Sequence, residues 1–155
     1  MENNSKHSHH YKKLLIMAVL SFICMYILMY SMVDAFRNVL PNINQFYMAG
    51  LMTMPMLIIE IVLMGSMYMN KKMNAVIIGL SSIALIAFFI LIRQQSAVSD
   101  KQFLKSMIPH HAGAILMCDE SNIVDPEIKK LCEDIRSSQK NEIALMKAKL
   151  KELEN

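Results

Sequence analysis

Apolar residues run without a single charge from Leu14 to Val33 and again from Ala75 to Ile92, while Phe46 to Met69 holds one charge, Glu60. Each run approaches or exceeds the roughly 20 residues that cross a bilayer. Hydrocarbon offers a backbone no hydrogen-bonding partner, so each run is predicted to be a helix. The pattern changes after Arg93. Gln94 to Ser99 is a polar break, Ser99 or Asp100 can cap a new helix, and that helix is predicted from about Asp100 to Glu120, kinked at Pro109. Ser121 to Asp125 reads as a turn, and Asp125 followed by Pro126 is an N-cap with proline at the first helical position. The last helix, from Pro126 to about Leu150, repeats apolar residues at Ile128, Leu131, Cys132, Ile135, Ile143, Met146 and Leu150. The expected fold is all-α: a tail over residues 1–13, three transmembrane helices over 14–93, and an extracytoplasmic antiparallel helical hairpin over 100–155.

Composition agrees with a membrane class. Hydrophobic residues make up 54% of the chain and mean hydropathy is +0.32, more than a soluble core requires. The net charge of +3 is too small, and too confined to segment ends, to suggest nucleic acid as a partner. It carries topology instead, because short cytoplasmic loops hold the excess of Lys and Arg. Lys6, Lys12 and Lys13 precede the first run and Lys71 and Lys72 separate the second from the third, whereas the loop from Asp34 to Gln45 has Arg37 alone, offset by Asp34. The N-terminus is therefore expected in the cytoplasm and the hairpin outside, as in a bacterial inner (plasma) membrane protein. The first run is too long for a cleaved signal peptide and no small-residue cleavage site follows it.

Residues equally distant from the hairpin turn should face each other, which sets out the candidate chemistry. Cys118 lies seven residues before Asp125 and Cys132 seven after, so the two could form a disulfide or a thiolate pair. Two small buried thiols in a helix seam is the plain alternative. His110 and His111 fall opposite Gln139 to Glu142, and Met107 opposite Ile143 and Met146. Imidazole and thioether together suit copper or a similarly soft ion, and Glu142 could be a ligand or an acceptor behind one.

The run from Asp100 to Met117, with Met107-Ile-Pro-His-His111 as its most specific part, then Asp125-Pro-Glu-Ile128 and Gln139-Lys-Asn-Glu-Ile-Ala-Leu-Met146, resembles the domain of unknown function 305 family. The resemblance covers about the last third of the chain, and the three-run front is similar to the membrane-anchored members. It implies a ferritin-like helical domain that binds copper outside the cytoplasm, with Met107, His110, His111, Met117 and Met146 matching the motif beside Gln139 and Glu142. Two positions depart from the family pattern: Ala112 stands where Gln is frequent, and cysteines stand at 118 and 132 where small residues such as Ala are common.

The chain has 16 Met and no Trp, an excess concentrated in the apolar runs. Met52, Met56, Glu60, Met64 and Met67 follow at helical spacing and define one stripe. A carboxylate within a span is expensive and marks a candidate intramembrane site for a proton or soft cation. The plainer reading, which we favour, has Met packing adaptably and Glu60 protonated and hydrogen-bonded to a Ser, a Tyr or a partner subunit. Met25, Met29 and Met32 form a shorter stripe on the first run. The His-containing segment from Lys6 to His10 reads as a flexible tail.

No Glu has a His three residues later, and there is no His-Glu-x-x-His, haem attachment or phosphate loop, so no catalytic residue is assigned and no enzyme is expected. The leading expectation is an integral membrane protein that buffers or hands on copper. The alternative is a non-catalytic structural or interaction module, partnered by the lipid bilayer, a second copy or another membrane protein. A small transport or proton-coupled role at Glu60 stands third.

Overall fold

The computed structural model describes residues 2–154, with side chains from residue 9 onward. Lys6 and His7 of the histidine-containing tail lie outside the described side chains. Five α-helices and no strand are present among the described residues: α1 (Glu2–Leu28), α2 (Ile43–Leu63), α3 (Lys71–Arg93), α4 (Asp100–Glu120) and α5 (Pro126–Glu154), with short 3-10 helices at Met29–Met32 and Phe36–Asn38. Three segments, His9–Met32, Ile43–Leu63 and Lys71–Arg93, are long and apolar enough to cross a membrane. The molecule divides into two compact units, one made of residues up to Leu28 with 46–96, the other of 29–45 with 97 onward.

Several expectations are corrected here. Helix α1 already includes residues 2–13, ahead of the first apolar run. The second apolar run does not stay helical to Met69. The Met64 amide still donates to the Glu60 carbonyl at 2.8 Å, but the chain then turns, with the Met67 amide on the Met64 carbonyl at 2.9 Å. Met64 and Met67 therefore leave the stripe of Met52, Met56 and Glu60, because the chain must reverse to enter α3. Met29 and Met32 likewise sit in a 3-10 segment and do not continue the face of Met25.

In the first unit α2 is the inner helix, burying Tyr47, Ala49, Gly50, Thr53 and Ile61. Gly50 is required by close approach: a Cβ there would lie 2.5 Å from the Phe88 ring of α3. The Thr53 hydroxyl turns back to the Ala49 carbonyl at 2.7 Å, so this polar group is satisfied within its own helix. The Asn70 side chain caps α3 by accepting the Met73 amide at 3.0 Å.

In the second unit α4 and α5 pack along one apolar seam of Ile108, Ala112, Ile115, Ile143, Met146 and Leu150, with Val33, Leu40, Leu104 and Met107 at its edge. Cross-helix pairs occur in opposite order along the two chains: Asp119 with Arg136 at 3.0 Å, His111 with Glu142 at 2.8 Å, and Lys105 with Glu154 at 3.5 Å. Ile128 and Leu131 are about half exposed and do not join the seam as their periodicity suggested, because the seam begins about three turns further along α5, at Ile143. Asp125 caps α5 by accepting the amides of Glu127 and Ile128 at 2.9 and 3.0 Å. Asn42, 5% exposed, ties the segment before α2 to α4: its amide donates to the Lys105 carbonyl at 3.4 Å and its oxygen accepts the Ser106 hydroxyl at 3.2 Å.

Candidate functional site

Among the described residues His111 is the one buried histidine, at 8% exposure. Its position on α4 turns it into the seam, while His110, a single residue earlier, is rotated by about 100° and stays exposed. Both ring nitrogens of His111 are engaged. Nδ1 lies 2.9 Å from the Met107 carbonyl oxygen and Nε2 lies 2.8 Å from Glu142 Oε2. A carbonyl can only accept, so Nδ1 carries a proton. The other carboxylate oxygen, Oε1, accepts the Ser138 hydroxyl at 2.6 Å. That hydrogen bond first, and the one from His111 second, hold the Glu142 carboxyl below the usual carboxylate range. Glu142 thus stands as a carboxylate acceptor 2.8 Å from His111 Nε2.

The remaining motif residues separate. Met146 is buried in the seam and Met107 packs against it, so both side chains belong to the α4–α5 core. Met117 is 56% exposed, and His110 holds its ring 6.1 Å from that of His111 at a steep angle. Among the described residues no group of three or more His, Cys, Asp or Glu side chains is placed to hold a metal ion. The donor set fits a soft cation to this extent: an imidazole whose Nδ1–H is anchored on a backbone carbonyl, the orientation usual for a metal-ligating histidine, a carboxylate on its Nε2, and two thioethers in the adjoining core.

Cys118 and Cys132 are brought together as hydrogen-bonded free thiols. That hydrogen bond, helped by desolvation and by Cys132 and Asp119, pushes the Cys118 thiol up to about 11, against the pull of Arg136. They border a cavity of about 210 Å³ with Lys129, Glu133 and Arg136. The pairing therefore favours the protonated thiol at Cys118.

In the first unit Glu60 accepts the Tyr68 hydroxyl at 3.2 Å, the type of partner expected of a structural carboxyl. Tyr68 stacks near Tyr11 with ring centroids 5.3 Å apart, and the Tyr11 hydroxyl donates to Asn74 Oδ1 at 2.6 Å. The Asn74 amide closes the cluster on the Tyr68 carbonyl at 2.7 Å. Met52 is 44% exposed, and Met64 and Met67 are 39% exposed on the turn, so the thioethers do not converge with Glu60 in a lined path. Sequence reading missed Tyr68 and Ser138. Ser138 was legible as the residue one turn before Glu142 on the same face, whereas Tyr68 reaches Glu60 only through the turn that ends α2.

Residues 63–150, from the end of α2 through most of α5, match the family described as a domain of unknown function, number 305. The chain belongs to that family. The match takes in all of α3 as well as the α4–α5 motif, so the shared region is wider than the last third of the chain that the motif marked. An uncharacterised protein of Acanthamoeba polyphaga mimivirus is 35% identical to this family member over 142 residues, covering 90% of this chain and 91% of the viral one. No solved structure matches it.

Proposed function

We propose that this family member is an integral membrane protein whose α4–α5 region is an extracytoplasmic antiparallel hairpin, ferritin-like in character, that takes copper or a related soft cation as cargo at His111. Support for the membrane comes from α1 and α3, whose apolar side chains are bare almost throughout: Leu15, Leu20, Ile27, Leu80, Ile83 and Phe89 are each more than half exposed. A helix apolar on every side needs an apolar surrounding. Support for the orientation comes from the Lys residues before Leu14 and between α2 and α3.

The observation that carries the metal reading is the pairing of a buried imidazole, locked at Nδ1 by the Met107 carbonyl, with a carboxylate 2.8 Å from Nε2. In this reading His111 Nε2 would hold the ion, Glu142 would ligate it or stay on the Ser138 hydroxyl, and Met107 or Met146 would supply sulfur. Copper content of detergent-purified protein tests this. Wild type retains the ion stoichiometrically, His111→Ala loses it, and His110→Ala keeps most of it. Unchanged retention in the His110→Ala/His111→Ala double variant sinks the proposal. Loss in Cys118→Ser/Cys132→Ser with retention in His111→Ala would move the site to the thiol pair.

A second reading is an interaction module without metal. It is favoured by Val124, Ile128 and Leu131, apolar side chains exposed by 77%, 50% and 56% at the start of α5 and the turn before it, and by a His111 whose two nitrogens are already satisfied within the protein. Metal-free protein that forms a defined oligomer, lost on Leu131→Glu, is the result that reading expects.

A further inference from the structure

A cavity of about 350 Å³ opens between the segment after the first span-length helix and the middle of α5. Its rim carries Arg37, Lys140 and Lys147 against a single acid, Asp34, and its floor is Ile115 and Ile143. The Lys147 ammonium is held in place, donating to Asn38 Oδ1 at 2.5 Å and to the Arg37 carbonyl at 3.3 Å. Asn38 is 3% exposed and its amide in turn donates to Asp34 Oδ1 at 2.5 Å. Burial first, and the like charge of Arg37 second, pull the Lys147 ammonium below the ordinary Lys range, with Asp34 opposing. None of the ion pairs among the described residues uses Arg37, Lys140 or Lys147. Three cations around one apolar-floored hollow, one of them fixed by a buried side chain, form a site short of negative charge.

Position along the chain narrows the ligand. Arg37 lies five residues after Met32 and six before Ile43, the ends of two span-length segments, so it stays within about 18 Å of the first of them. Phe36, beside it, is 91% exposed, a bare aromatic on a ten-residue connection. If the segments cross a bilayer, chain length alone keeps this connection within reach of that bilayer's surface.

We propose that the cavity bordered by Arg37, Lys140 and Lys147 binds a phosphate group, that of an anionic phospholipid headgroup, whose neighbouring carbons the apolar floor receives, or free phosphate. Its lipid arm rests on the membrane reading given above; its phosphate arm does not.

The test uses full-length protein in detergent. One arm reads retained lipid by native mass spectrometry after adding phosphatidylglycerol or phosphatidylcholine. A second arm reads the thermal shift with inorganic phosphate against chloride at equal ionic strength. Retention of phosphatidylglycerol over phosphatidylcholine, falling about fivefold for each basic side chain lost in Arg37→Gln and Lys140→Gln, supports a headgroup site. A phosphate shift that these variants abolish, without lipid retention, supports free phosphate. Equal retention of the two lipids with no phosphate shift, or binding unchanged in both variants, overturns the proposal. Arg37→Lys keeps the charge and keeps the ligand, which separates loss of the site from loss of the fold. Copper retention in the same variants stays at the wild-type value, and a chain that fails to float with liposomes refutes the membrane reading without touching the phosphate result.

Discussion

The two units place their polar contacts differently. In the span-length unit polar side chains bond within their own helix, as Thr53 does to the Ala49 carbonyl, or gather where the helices end, as Tyr11, Glu60, Tyr68 and Asn74 do. In the α4–α5 unit they reach across: His111 to Glu142, Asp119 to Arg136, Asn42 to α4. The first arrangement suits an apolar surrounding, where an unmet donor has no water to turn to. The second uses polar pairs to set which residues of two helices face each other, and a binding site follows from that choice. Function is accordingly expected where the side chains cross between helices.

If this contrast holds, core damage in one unit should leave the other standing. Ile108→Ala empties a fully buried position of the α4–α5 seam and is expected to destabilise that unit by about 2–5 kcal/mol. Thermal unfolding followed by α4–α5 proteolysis should show early loss there while α1–α3 stay protected; simultaneous loss of both would break the comparison. Gly50→Ala acts in the other unit, pushing a Cβ onto the Phe88 ring. The ring has to move, at about 1–3 kcal/mol, and the unfolding temperature in detergent should fall while copper retention is unchanged.

Smaller effects sharpen the picture. Ala97, at the start of the second unit, has φ of 57°, a left-handed conformation that costs an L residue roughly 1–2 kcal/mol. Ala97→Gly should stabilise the fold by up to about 1 kcal/mol after the extra freedom gained by the unfolded chain, read as a slightly higher melting temperature. The least change is expected from acid. The Glu142 carboxyl is held low in the folded protein, so its stabilisation is full above the ordinary Glu value of about 4.3 and is lost as pH falls through the lower folded value. A metal-free melting profile between pH 6 and pH 3, compared with Glu142→Gln, should show that acid limb in the wild type alone; coincident profiles would mean the pair does not form.

Much was legible along the chain because it depends on near neighbours. The charge-free runs marked the span-length helices, the Asp125-Pro126 step marked the start of α5, and α4 occupies Asp100–Glu120 as its capping pattern predicts. The register from the turn put His111 opposite Glu142, and equal spacing from Asp125 put Cys118 beside Cys132. Helix formation and a short turn are local events, so their signals are written in adjacent residues.

Other features depended on which face of each helix turned inward. Periodicity alone treated His110 and His111 as equivalents, and packing buried one while exposing the other. It placed Ile128 and Leu131 in a seam that begins later, and Met64 and Met67 on a helix that had already ended. Arg37, Lys140 and Lys147 are separated by more than a hundred residues at the extremes and carry no common motif, and only the fold gathers them around one hollow. Sequence determined the helices because backbone hydrogen bonds and caps are settled within a few residues. Tertiary structure decided the partners, because a side chain's neighbours across a seam are set by the rotation of whole helices.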